Sequence, residues 1–225
     1  MLRAKFNARG FTLVELLIVI ALIGVLATAL VATLNPIEQV NKARDARYAN
    51  DAAELLAALE RAYASTQSYP WVGLSDGLSI NDSWGGVSTF YGTGVCGVAG
   101  GGSPSSTTPG DCSVNGVLIQ ADELKPAFKG KTQFSNPGTN LEDALFLWKE
   151  AGSSGSVYVC YVPKSKTNRT KTTDLRCLDT TSEGAPQGYE RAGSGSCVAP
   201  TDPGATTWTQ TTNSGTNAIF ICVPE

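Results

Sequence analysis

An α+β fold is what this sequence predicts: one long N-terminal α-helix, half of it apolar all round and half amphipathic, packed on a small antiparallel β-sheet domain with disulfide-held loops. Three observations point there. A run without charge extends from Leu16 to Leu34 and passes into a segment whose apolar residues recur on one side only. Short β-rich runs flanked by turn residues stand only in the C-terminal part, after residue 66, the clearest being 157–162 and 219–223. Six cysteines, Cys96, Cys112, Cys160, Cys177, Cys197 and Cys222, all fall in that same C-terminal part, and none in the helix.

The first element is the apolar run. Its 19 uncharged residues make roughly 28 Å of helix at about 1.5 Å per residue, close to the thickness of a bilayer's hydrocarbon core. Ahead of it, Arg3, Lys5 and Arg9 give residues 1–10 a charge of +3, which holds the N-terminus on the cytoplasmic side and places the rest of the chain outside. Glu15 is the oddity. A carboxylate near the end of a membrane helix is costly without a partner and therefore marks function. A cut between Gly10 and Phe11 would create a partner, the new α-amino group of Phe11. That of a neighbouring copy could lie at the same depth.

Gly10-Phe11-Thr12-Leu13-Val14-Glu15 is similar to the processing motif of type IV prepilins and of the related pseudopilins of type II secretion. The likeness runs from about residue 3 to residue 65; beyond that it is one of layout. It implies a pilin-like fold, with a membrane prepilin peptidase cutting after Gly10 and N-methylating Phe11, and Glu15 serving assembly. It implies as partners other copies of the chain and other pilins, an assembly platform with its ATPase, and the lipid bilayer before assembly. The expected location is the cytoplasmic (inner) membrane with the head outside, then an extracellular pilus or a periplasmic pseudopilus. In such filaments the region from Gly24 to Pro36 can melt on assembly.

Three plainer readings compete. Ala27-Thr28-Ala29 offers a signal-peptidase site, but an acid sits inside the apolar run and helical patterning continues past it. A simple single-span anchor accounts for the hydrophobicity but not for Glu15 or the Gly10–Phe11 junction. A buried core helix is disfavoured by length and charged flanks.

The chain divides into a removable leader (1–10), an apolar half-helix (11–35), an amphipathic half-helix (36–66) and a Cys-containing, β-rich head (67–225). Gly24 and Pro36 weaken the helix, the first by flexibility and the second by a lost hydrogen bond, so a bend or local unwinding is expected between them. Tyr48, Ala52, Leu55, Leu56, Leu59 and Tyr63 recur at spacings of three and four, a stripe that needs a cover. Glu38–Lys42 and Arg47–Asp51 read as i,i+4 pairs on the solvated side. The helix is expected to stop at Ser65-Thr66-Gln67-Ser68-Tyr69-Pro70.

In the head, strands are predicted at 87–91, 116–120, 156–163 and 218–223, and a short helix over 141–151 capped by Asn140, with Leu141, Leu145 and Trp148 on one face. Residues 97–112, rich in Gly and Ser, read as a surface loop. Six cysteines in an exported domain suggest up to three disulfides. Sequential pairing, Cys96–Cys112, Cys160–Cys177 and Cys197–Cys222, closes modest loops; free buried thiols are the alternative.

Composition prunes the functions. There is no histidine, so no Ser-His-Asp or Cys-His site can be drawn, and without a CxxC pair no metal centre is expected. No enzyme and no cofactor is expected. Loss of the leader takes the net charge from −3 to about −6, which does not indicate nucleic-acid binding. Lys164, Lys166, Arg169 and Lys171 form a basic run able to touch DNA, an anionic surface or a neighbour, or to be a solvated loop. Asn81-Asp82-Ser83 and Asn168-Arg169-Thr170 fit the glycosylation pattern, and Asp76, Asn81 and Asp82 a weak calcium loop. Together with the resemblance, these readings imply a filament subunit (pilin), with a secretion pseudopilin and a monomeric anchored binding protein as the alternatives.

Overall fold

The structure, a computed structural model, describes residues 10–33, 35–71, 83–86, 93–97, 111–135, 143–149, 156–171, 174–178, 189–191 and 218–224. The chain falls into two units, Met1–Val40 and Asn41–Glu225.

The first unit is built on α1 (Leu13–Thr33), continuous through Gly24. The interruption comes at its end. Pro36, lacking an N–H, is the first residue of α2 (Pro36–Thr66), and Asn35 caps it by accepting from the Glu38 amide through its side-chain oxygen at 3.3 Å. The interruption thus lies at the Pro36 end and not at Gly24. A lone glycine costs only about 1 kcal/mol, whereas a proline removes a ladder bond outright.

In the second unit the rest of α2 lies under a six-stranded sheet. Its strand order is β1-β4-β5-β8-β6-β7, antiparallel at every step, with β1 at Ser83–Gly86, β4 at Leu145–Lys149, β5 at Val157–Tyr161, β6 at Leu175–Leu178, β7 at Tyr189–Arg191 and β8 at Ala218–Val223. A separate two-stranded ribbon pairs β2 (Cys96–Gly97) with β3 (Asp111–Asn115). The predicted stripe of α2 is the core. Tyr48, Ala52, Leu55, Leu56 and Leu59 are buried, and Tyr63 packs partly buried beside them. Alternation along the central strands supplies the cover: Leu145, Leu147, Val157, Val159, Ile219 and Ile221 face this cluster. The residues between them, Phe146, Cys160, Phe220 and Cys222, form a second cluster on the opposite face. Burying a side chain of this size contributes roughly 1.5–3 kcal/mol.

The strands expected at 156–163 and 218–223 are present. Two other expectations are overturned. The helix expected over 141–151 is strand β4, whose Leu145–Lys149 pair residue for residue with Tyr161–Val157. The strand expected at 116–120 is a helical turn, α3 (Val117–Gln120). It turns because the Gly116 and Leu118 amides donate to the Val95 and Gly94 carbonyls at 3.0 and 2.9 Å. A Cβ on Gly116 would stand 2.2 Å from the Gly94 oxygen, so only glycine fits there. The strand expected at 87–91, most of the loop expected at 97–112, and Asp76, Asn81 and Asp82 lie outside the described residues.

Register also decides the disulfides. Cys96 joins Cys112, as sequential pairing predicts. Cys160, however, joins Cys222 and not Cys177, and Cys222 is therefore not the partner of Cys197. The two stand directly opposite each other on β5 and β8, where Cβ atoms on one face meet. Cys177 belongs to β6, and Cys197 lies outside the described residues.

Two aspartates fix loops onto α2. Asp45 is 0% exposed and accepts from the backbone amides of Lys164 (3.0 Å) and Ser165 (2.9 Å), from the Asn168 amide nitrogen (3.0 Å) and from Arg44 (3.2 Å). Asp51, read from sequence as half of a solvated pair with Arg47, is buried instead and takes Lys131 and Gln133 as partners. Both lie on the buried side because they stand three residues from Tyr48. A buried carboxylate is tolerated only when its lone pairs are met this fully.

Candidate processing and assembly site

The site is the entry to α1. Gly10 and Phe11 precede the helix and are open: nothing lies within 4 Å of where a Cβ on Gly10 would stand, and the Phe11 ring is 82% exposed.

Thr12 is the N-cap and Glu15 the third helical residue. The Glu15 amide donates to Thr12 Oγ1 at 3.2 Å, while Thr12 N–H and Thr12 Oγ1 both donate to Glu15 Oε2 at 3.0 Å. This reciprocal arrangement, a capping box, satisfies helix-end donors that would otherwise be orphaned. Sequence reasoning singled out Glu15 and passed over Thr12. The signal was there in the Thr12-x-x-Glu15 spacing ahead of an apolar run. Glu15 consequently has a local partner before any neighbour arrives. Its other oxygen, Oε1, accepts no hydrogen bond from the described residues and remains open to an external donor.

Behind the cap, α1 has no covered face. Leu13–Val31 is 19 residues of mean hydropathy 2.8, with none of it buried. Its large apolar side chains are at least 46% exposed. Water is a poor environment for such a surface, so lipid or protein must surround it.

The head's basic run is largely spoken for. Ser165 caps the single turn α4 (Lys166–Arg169). Arg169 donates to the Pro163 carbonyl at 2.8 Å, Lys164 pairs with Asp143 at 3.4 Å, and Lys171 lies 4.0 Å from Asp174. Asn168 of the second glycosylation pattern is the residue that donates to Asp45. Among the described residues no cluster of Cys, Asp and Glu could hold a metal ion.

Residues 5–31 match the prokaryotic N-terminal methylation motif, the leader signature of type IV prepilins and pseudopilins. No curated protein and no solved structure matches the chain. The motif implies processing by a prepilin peptidase and assembly with other pilins. Together with the one helix among the described residues that is long and apolar enough to cross a membrane, it fits a membrane-anchored precursor.

Proposed function

We propose that the chain is the structural subunit of a type IV pilus filament. The observation that carries this reading is a helix with no covered face, headed by one carboxylate four residues past an exposed Gly10–Phe11 junction inside the methylation motif. The precursor spans the inner membrane by α1, the head outside. The peptidase removes residues 1–10 on the cytoplasmic side and methylates the amine of Phe11. In the filament, helices of neighbouring copies replace the lipid around α1. Glu15 then receives the Phe11 amine of the next copy. Because the Thr12 donors occupy only Oε2, the incoming ammonium can sit at Oε1 and leave the cap in place. A heterologous contact of this kind does not close, so it propagates into a fibre. Weakening of α1 around Gly24 during that transfer belongs to the same reading.

The mass of the mature N-terminus tests the processing step. A start at N-methyl-Phe11 is expected; a start at Leu30 would mark a secretory signal peptide, and an intact leader a plain anchor. Glu15→Ala tests assembly: polymer sheared from cells should fall at least about tenfold while cleaved monomer stays in the membrane, since an intramembrane charge without its pair loses several kcal/mol of favourable contact. Undiminished polymer would overturn the reading. The methylation motif is shared by secretion pseudopilins, and long fibres on the cell surface, seen by electron microscopy, separate the two.

A further inference from the structure

We propose that the solvent face of α2 is a contact surface for a second, parallel copy of this chain, offset along the helix axis by 12–13 residues, or about 18–20 Å. The proposal rests on the filament reading above and assigns that filament a register.

The part of α2 in the second unit buries one side and leaves the other open. At about 100° per residue, Ala46, Asn50, Ala53 and Ala57 run down the middle of the open side. None of them is large, so a second helix could approach closely. Charges stand on both margins and are sorted by position. Lys42 and Glu60 lie along one margin, Arg47 and Glu54 along the other, and all four are exposed. Within the second unit's part of α2, the base comes first and the acid later on each margin; Glu38, one turn before Lys42, belongs to the first unit. The remaining base on this side, Arg61, is held by Glu123 at 2.8 Å and does not neutralise the acidic end. Glu54 forms a long ion pair with Lys131 at 3.7 Å, an ammonium that Asp51 holds more closely, and its carboxylate stays half exposed.

When two parallel helices meet face to face, opposite margins become neighbours, as the flanking positions of a coiled coil do. Without an offset, the bases of both copies would crowd at one level and the acids at another. An offset of 12 residues sets Lys42 of one copy beside Glu54 of the next, and an offset of 13 sets Arg47 beside Glu60. Both cross-margin pairs therefore ask for the same displacement in the same direction. Such pairs contribute register and partner choice more than affinity. An antiparallel pair would also match these charges, by joining Lys42 to Glu60. Copies anchored in one membrane by the same end cannot adopt it.

Charge reversal in the full chain, in the cells that assemble it, tests the surface. K42E/R47E and E54K/E60K should each cut sheared polymer about tenfold, and the chain carrying all four changes should recover to within about twofold, because complementarity is restored. The melting temperature of each variant's head should stay at the wild-type value. In a second measurement, oxidised polymers of K42C/E54C should run as a covalent ladder, and those of K42C/E60C should not. Wild-type polymer with unaffected variants, a fourfold variant as defective as its parents, or a ladder from K42C/E60C would overturn the offset alone. Absence of wild-type polymer would overturn the filament reading and the offset with it.

Discussion

The two long helices make the instructive contrast. α1 is apolar on every side and has no part of its span covered; α2 is apolar on one side and hides nine residues, among them Tyr48, Leu55 and Leu59. Both are helical, yet different things hold them in place. For α2 the surroundings are its own sheet. For α1 they are whatever lies outside the chain. Even their acids obey the distinction. Asp45 is satisfied by four groups of its own fold, whereas Glu15 is satisfied on one oxygen by Thr12 and keeps the other for something external.

The most severe way to probe this contrast is Asp45→Ala. It strands the Lys164 and Ser165 amides in a buried place, which should destabilise the head by about 3–5 kcal/mol. The melting temperature and faster amide exchange at Lys164 and Ser165 check it. Next comes one chemical change made in both helices. Leu55→Ala should cost about 2–5 kcal/mol through the cavity it leaves. Leu17→Ala, on a side chain already 56% exposed, should leave the head's melting temperature where it was. An equal loss from the two would dissolve the distinction. Smaller is Thr12→Ala, which removes the N-cap and should weaken the start of α1 by about 1 kcal/mol. Exchange of the Glu15 amide in detergent reads that directly, with no change in the head.

The smallest effect concerns pH. Tyr69 is sandwiched between Tyr63 and Trp71, with ring centroids 4.5 Å apart on either side. Burial, then the neighbouring Tyr63 and Glu60, push its phenol above the usual tyrosine value. Below pH about 10 the phenol is protonated whether the head is folded or not, and it contributes no slope. As pH climbs through that value the unfolded chain ionises first and stability falls. Tyr69→Phe should flatten the alkaline limb of a melting-temperature profile and leave the neutral range untouched.

How much of this could be read beforehand follows from the same contrast. Periodicity exposed the stripe of α2, because spacings of three and four over several turns leave little else to form. Strands β5 and β8 were legible for a related reason, being short β-branched and aromatic runs between turns. Leu145, by contrast, has helix-like spacing to Leu141 and Trp148, and the decision went to strand β4 because β5 offers it a complete ladder. Gly116 looked like the start of a strand until the Val95 and Gly94 carbonyls claimed the amides there. Cysteine pairing followed register rather than proximity in sequence, which no count of intervening residues contains. Asp51 was misplaced because a carboxylate is assigned to solvent by default. At the assembly site, Glu15 was legible as a charge out of place, and Thr12 only as half of a cap.

The proline at the start of α2 has a mechanical meaning. It supplies no donor, and the turn after it is closed by Asn35 instead of by the preceding helix. Fraying that begins in α1 therefore meets a missing rung at Pro36, beyond which the Asn35 cap starts the next helix. On the filament reading proposed above, that break lets α1 change its surroundings without asking the cap at Asn35 to open.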